Sequence, residues 1–406
     1  MNSRMNRLAI AGAMASVILA SGAANAQDVK IGAAFPLTGD LQAYGSSSAN
    51  GVRLAVDEIN ADGGVLGEDL GLAIGDTRTS PQVGVDAANK LASIENIAGI
   101  VGAMSSGVTI PVARSVSSQK GIPQISNAST SPVITDLDDN GYLFRTVPSD
   151  ALQGVVLGNL AYDKGLRKVS VIYLNNAYGE GLAEEFAKQF KKRGGKVPAS
   201  LPYEKGKASY RGELGNAAKD GAAALAVIGY PENGTTILRQ ALEQGYFQEF
   251  VFTDGMKAPE VGKNIGGDYL DGSIGTTPTA PADTNAKAHF ESAYKEAYGQ
   301  LPPKPFIDTA YDAAYLLALA MERSGSTEGT AVRDALSDVA NPPGTKVGPG
   351  EWSKAVDTLA NGGDVDYEGV TGSLNFDENG DVPGLFEHWT FANGSVKTVK
   401  VLQPDL

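Results

Sequence analysis

The sequence predicts an α/β protein built of two similar units, each a mostly parallel sheet flanked by helices. Three observations point to it. Short apolar runs alternate with helical patterns from Val29 onward, the rhythm of a parallel sheet with right-handed crossovers. That rhythm restarts after Phe144-Arg145-Thr146-Val147-Pro148-Ser149, so a second unit follows the first. The chain has 406 residues, more than one core usually organises, which suggests two or more domains.

In chain order, Val29–Pro36 (VKIGAAFP) is the first strand, Leu37–Tyr44 a loop and Gly45–Asn60 a helix. Asp62-Gly63-Gly64 stops that helix, because glycine accepts the left-handed backbone of a helix end. Leu70–Gly75 is a second strand. The next helix starts near Pro81, where a missing N–H costs little, and runs to Ile94. Ala98–Ala103 reads as a buried strand, followed by Ser105, Ser106 and Gly107 and then a helical face of Val108, Ile110, Val112, Ala113 and Val116. A short strand, Ile122–Ser126, leads into Asn127-Ala128-Ser129-Thr130.

In the second unit, Ser149 or Asp150 caps a helix running to about Lys164. Strands are expected at Val169–Leu174, Lys196–Tyr203, Ala222–Gly229 and Phe250–Thr253, with helices at Gly179–Arg193, Ser209–Lys219 and, after Tyr230-Pro231-Glu232, to Gln244. Helices Asn285–Tyr298, Phe306–Arg323 and Thr330–Leu336 follow a Pro/Ala-rich loop. Asn341–Gly350 is Pro/Gly-rich and is expected as a surface excursion, with a further helix at Glu351–Leu359. The end turns to β: Gly372–Phe376, Leu385–Phe391 and Lys397–Leu402, with Asp377–Asp381 as a turn. A chain that leaves one lobe, builds another and returns crosses between them several times; two consecutive domains are the alternative.

The N-terminus reads as a targeting signal. Arg4 and Arg7 precede an apolar core, Leu8–Leu19, too short to span a bilayer comfortably, and Ala24-Asn25-Ala26 is an A-x-A cleavage site. A membrane anchor is the alternative. The chain has no Cys, which excludes disulfides, thiolate metal sites and anchoring through a lipidated Cys. Without Arg4 and Arg7 the 33 basic residues become 31 against 47 acidic, a net charge of −16. That balance argues against nucleic acid and anionic lipid as partners.

No catalytic set stands out. His289 and His388 are the 2 histidines, one on a predicted helix and one on a strand, where surface or packing roles suffice. Ser106 lies outside any G-x-S-x-G and has no nearby His to activate it, so a secreted hydrolase is the weaker reading. Gly179-Glu180-Gly181 lacks the third glycine of a dinucleotide fingerprint. Asn375–Gly380 resembles the start of a calcium loop, but the twelfth position falls on Phe386, and a hairpin turn is expected instead. No cofactor, metal or enzymatic activity is expected.

A clearer signal is where certain residues fall. Tyr44, Ser106, Ala128, Ser129, Thr130, Tyr178, Tyr230 and Asp254 all lie at or just past predicted strand ends, where ligands bind in open α/β sheets. Each Tyr alone could be packing; together they suggest one cleft. Their chemistry suits a zwitterion. Ser106 and Thr130 hydroxyls, with backbone N–H groups at a helix start, can hold a carboxylate. Asp254 and the Ala128 carbonyl can take an ammonium, and the tyrosines can wall a side-chain pocket.

With these residues placed, the chain resembles the periplasmic leucine/isoleucine/valine-binding proteins, the substrate-binding components of branched-chain amino acid ABC transporters. The likeness covers nearly the whole mature chain and rests on IGAAFPLTGDLQAYG, GVRLAVDEINADGG, VGAMSSG, IPQISNAST, FRTVPSD, NAYGEGL, IGYPENG, FTDGM and SLNFDENGD in fixed order. It implies the type I periplasmic binding protein fold: two Rossmann-like lobes joined by a three-segment hinge, with residues 1–26 removed, 27–148 plus 278–384 in one lobe and 149–277 plus 385–406 in the other. It implies a carboxylate-binding serine at Ser106, a carbonyl and hydroxyl pair at Ala128 and Thr130, aromatic walls at Tyr44, Tyr178 and Tyr230, and the ammonium partner at Asp254. Ala103, Met104 and Phe306 are placed at the side-chain pocket, beside Ser105 and Ser129. The best-known members have Glu where Asp254 stands, which opens the question of side-chain specificity. An amino acid ligand, a membrane permease partner, a monomeric state and a periplasmic location are implied. A sensory module, or a binder of an amide, urea or aromatic acid, is the rival. The role of 342–370 is left open.

Overall fold

The computed structural model describes residues 29–266 and 268–404. The signal and cleavage expectations fall on residues 1–26, outside the described residues. No described helix is long and apolar enough to cross a membrane.

The first sheet contains β1 (Lys30–Phe35), β2 (Gly71–Asp76), β3 (Gly99–Gly102), β4 (Gln124–Ser126) and β5 (Leu143–Arg145). Its order is β2-β1-β3-β4-β5, parallel throughout. The second sheet begins with β6 (Val169–Leu174), β7 (Ser200–Tyr203), β8 (Ala224–Ile228), β9 (Glu249–Phe252) and β10 (Ile274–Thr279). The chain then returns to the first lobe and forms β11 (Thr345–Val347), β12 (Val365–Gly369) and β13 (Gly372–Ser373). Finally β14 (Leu385–Ala392) and β15 (Ser395–Leu402) rejoin the second sheet, whose order is β15-β14-β10-β9-β8-β6-β7. Both are antiparallel additions to an otherwise parallel sheet.

Each lobe follows from its sequence pattern. Strands such as β8, ALAVI, are buried along their length because helices cover both faces. Helix Asp308–Ser324 is buried from Thr309 to Met321, which makes it the centre of the first lobe despite following 130 residues of the second in the chain order of elements. Ser149 caps helix Asp150–Asp163 by accepting from the Ala151 N–H at 3.3 Å, so Asp150 is left free for another role.

Three expectations are corrected. The Asn341–Gly350 excursion is no loose loop: β11 pairs with β12 in a small three-stranded sheet. Buried Asp312 fastens that sheet, accepting from Tyr367 OH at 2.9 Å, the Val370 N–H at 2.9 Å and the Thr371 hydroxyl at 2.6 Å. Trp352 seals it, donating to the Gly64 carbonyl at 2.9 Å. Second, 377–381 is not a hairpin turn, because β13 pairs with β12 and β14 with β10. Asp377 instead folds its own turn, accepting from the Asn379 and Asp381 N–H groups. That turn carries Asp381 to Arg145. Third, β10 extends to Thr279, past the expected boundary at 277.

Candidate ligand-binding cleft

The carboxyl ends of the two sheets face each other across a narrow cavity of about 280 Å³ including its open mouth. The first lobe contributes Leu41, Tyr44, Met104, Ser106, Ala128 and Phe306; the second contributes Tyr178, Tyr230, Asp254 and Gly255. Met104 and Ser106 arrive because β3 ends at Gly102 and a helical run begins at Ser106. Asp254 follows β9 directly, and Tyr230 follows β8. Gly255 is required by close approach: a Cβ there would stand 2.4 Å from the Gly229 carbonyl oxygen and 3.0 Å from Tyr178 OH.

The hydrogen bonds define what each wall can still do. Ser106 Oγ accepts from the Ser131 N–H at 3.3 Å, which leaves its own O–H to donate. Asp254, 3% exposed, accepts from Tyr178 OH at 2.9 Å and from Gln153 Nε2 at 3.0 Å. It has no ion-pair partner among the described residues. Burial pushes its carboxyl up to about 6, and the bonds from Tyr178 and Gln153 hold it back from rising further. Asp150 is raised well above the usual range, first by burial and then by the charge of Asp254. Tyr44 and Tyr178 are raised as well, mainly by burial, so both keep their protons. Asp254, buried and without an ion-pair partner among the described residues, makes this end of the cavity a place for positive charge.

The lobes touch over the cavity. Tyr44 OH donates to the Gly255 carbonyl at 3.0 Å, the Ser105 and Tyr230 hydroxyls meet at 2.9 Å, and Ser131 Oγ donates to the Ala177 carbonyl at 2.8 Å. Tyr178 and Tyr230 stack with centroids 5.6 Å apart, forming one wall. Phe306 meets Tyr44 edge-on at 6.4 Å from the opposite side.

Of the residues expected at the site, Tyr44, Met104, Ser106, Ala128, Tyr178, Tyr230, Asp254 and Phe306 are brought together at the cavity. Ala103, Ser105, Ser129 and Thr130 do not line it. Ala103 gives its carbonyl to the hydroxyls of Ser126 at 2.7 Å and Thr109 at 2.9 Å. Ser129 is tied to Thr109 Oγ1 at 2.7 Å and to the Met104 carbonyl at 3.2 Å, so it fixes the loop. Ser105 spends its hydroxyl on Tyr230. Thr130 Oγ1 donates to Asp150 Oδ2 at 2.9 Å, so its hydrogen is not left for a ligand carboxylate as expected. Its oxygen is left as an acceptor. Leu41, Gly255, Asp150 and Gln153 were not expected. Asp150 and Gln153 sit one helical turn apart on a helix whose first turn also reads as a cap, so their inward aim shows only in three dimensions.

Among the described residues no group of three or more His, Asp and Glu could hold a metal. His289 Nε2 sits 3.1 Å from Glu58, and His388 is buried within β14, so neither reaches the cavity.

Two lobes closing on a small cavity with a few polar groups at one end define the class of solute-binding proteins. The matching family model, described as Periplasmic binding protein, covers residues 28–355, and the chain belongs to that family. Within it the chain groups with the leucine/isoleucine/valine-binding proteins. It is 31% identical to the leucine-, isoleucine-, valine-, threonine- and alanine-binding protein of Pseudomonas aeruginosa, over 93% of each chain. The structure of a leucine-binding protein from Thermotoga maritima is similar with a TM-score of 0.79 and 27% identity, over 93% of this chain and 99% of that one. A branched-chain amino acid transporter substrate-binding protein from Streptococcus pneumoniae, in complex with isoleucine, gives a TM-score of 0.78 and 25% identity, over 93% and 100%. The family is one of solute-binding proteins rather than enzymes.

Proposed function

We propose that this chain captures an amino acid between its lobes outside the cytoplasm and delivers it to the permease of an ABC transporter. The observation that carries the reading is Asp254, a buried carboxylate with no cation beside it among the described residues, across a cavity from the free hydroxyl of Ser106. The ligand ammonium goes to Asp254 and the Ala128 carbonyl, and the ligand carboxylate to Ser106. Burying a zwitterion strips its water, so a charge left unpaired costs several kcal/mol and the head group is selected strongly. Leu41, Met104, Phe306 and the tyrosine rings surround the side chain with apolar surface, which favours an aliphatic one.

The mechanism is hinge closure. The ligand lands on the first lobe at Ser106, and closure brings Tyr178, Tyr230 and Asp254 onto it. The moving bodies are the two sheets with their helices, and bending occurs where the chain crosses, at 146–149, 280–284 and 381–384. The mature protein is a monomer in the periplasm, freed of residues 1–26.

Calorimetric titration with an amino acid panel tests this. The wild type binds at least one aliphatic amino acid in the cleft, and Asp254→Ala, with its melting profile intact, loses that cleft site. Urea, acetamide and benzoate belong in the panel; tighter binding of any of them than of every amino acid would overturn the reading.

A further inference from the structure

A second cavity lies at the hinge. Including its open mouth it measures about 810 Å³, and Thr146 and Pro148 of the first crossing, Pro278 and Thr279 at the end of β10, and Pro383 and Gly384 of the third crossing line it. No residue of the proposed amino acid site lines it except Phe306, which forms a wall of both cavities. Phe306 is rigidly placed. Its backbone is left-handed, φ 74°, and its carbonyl accepts from Ser48 Oγ and Asn127 Nδ2, both at 3.0 Å.

The polar groups of this cavity are unevenly used. Lys257 pairs with Glu387, and Lys304 with Glu260. Among the described residues, Lys287 and Asp308 have no ion-pair partner, although both line the cavity. Asp308 accepts only from the neighbouring Thr309 N–H, at 2.9 Å. Thr309 also lines the cavity, is 5% exposed, and its hydroxyl oxygen has no hydrogen-bond partner. Burial holds the Asp308 carboxyl above its usual value, while Lys257 and Lys287 act to lower it from a distance. One unpaired positive and one unpaired negative charge thus share a pocket with Leu301, Val370 and Leu374. Glu291 stands exposed at the rim, which disfavours a plain anion.

We propose that the hinge cavity is a second small-molecule site, for an amphipathic zwitterion of the amino acid type. Its ammonium pairs with Asp308 and Thr309 Oγ1, its carboxylate with Lys287, and its side chain packs on Leu301, Val370 and Leu374. Because two crossings and residues of both lobes form its walls, rotation of the lobes must change its shape. A ligand there binds the open and closed forms unequally, so occupancy of the two sites is coupled, reciprocally.

The test is calorimetry with phenylalanine and leucine on the wild type, Asp254→Ala, and Asp254→Ala combined with Lys287→Met or with Asp308→Asn. The wild type is expected to show two sites and Asp254→Ala one. Either added hinge substitution should weaken that remaining site by about tenfold or more. Lys287 is half-buried, so Lys287→Met, checked by circular dichroism, carries the test if Asp308→Asn fails to fold. Benzoate and benzylamine, each lacking one charge, should bind the Asp254→Ala protein at least about tenfold more weakly than phenylalanine. Absence of any site in Asp254→Ala at millimolar amino acid, indifference to both hinge substitutions, or benzoate binding as tightly as phenylalanine would each overturn the proposal. If Asp254→Ala leaves the wild-type titration unchanged while the hinge substitutions abolish it, the cleft reading fails and the hinge site stands.

Discussion

At the residue scale, the decisive group is a carboxylate that is uncomfortable when the cleft is empty. Asp254 is pushed up to about 6 by burial, well above the value near 3.9 that it has in an unfolded chain. A raised carboxyl binds more protons folded than unfolded. Its contribution to the stability of the ligand-free protein is therefore full below about pH 4 and is lost as pH rises through about 6. Ligand capture has the opposite sign, because an ammonium needs the ionised form. Amino acid affinity should be flat above about pH 7 and fall toward tenfold per unit below about 6. Titrations between pH 4.5 and 8 check this, and an affinity that holds constant down to pH 5 would contradict the assigned ammonium partner. Position relative to the strands made Asp254, Tyr178 and Tyr230 visible in the sequence, since a parallel strand can deliver its ligand contacts only at one end. Thr130 was visible too, but its chemistry was not. Which way a hydroxyl points depends on Asp150, and nothing local in a helix cap announces a partner 20 residues earlier.

At the element scale, the first and third crossings are locked by one buried ion pair. Arg145, fully buried at the end of β5, donates from Nε and Nη2 to the two carboxylate oxygens of Asp381, each at 2.5 Å. Its remaining donors reach the Ser131 carbonyl at 3.0 Å and Thr135 Oγ1 at 2.8 Å. Satisfaction is complete enough that removing one partner strands the other in the interior. Arg145→Ala or Asp381→Ala should cost roughly 3–5 kcal/mol, more than the pair itself is worth. Urea unfolding measures it: the midpoint falls at an unchanged slope, and a shift under about 1 kcal/mol would refute the buried-pair account. The same crossing shows why the sequence was legible only in part. Val169–Leu174 and Asn285–Tyr298 fold over their expected spans because a strong apolar period needs no outside help. β5 has three residues, one of them an arginine, and so carries no strand signature without Asp381 opposite it. β12, Val-Asp-Tyr-Glu-Gly, reads as polar until Asp312 is placed behind it.

At the scale of the whole molecule, closure is held by contacts that the ligand does not make. Lys205 of the second lobe reaches the Thr79 carbonyl at 3.0 Å and Asp40 at 3.5 Å in the first. At the other edge Lys304, held to the Ala43 carbonyl at 2.7 Å, reaches across to Glu260 at 2.6 Å. Each pair is part-exposed, so each is worth only about 0–1 kcal/mol and weakens as salt screens it. Both are lost when the lobes part, so their energy enters the closing equilibrium directly and the ligand affinity through it. A Lys205→Ala/Glu260→Gln variant keeps every residue of the cleft yet should bind the tightest amino acid of the panel up to roughly tenfold more weakly. Its affinity should also lose part of the salt dependence of the wild type, and its ligand-free form should scatter X-rays with a larger radius of gyration. An equal affinity, an equal salt slope and an equal radius would show that the rim pairs do not bias closure, and would leave the cavity contacts, Tyr44 to Gly255 and Ser105 to Tyr230, to hold the closed form alone.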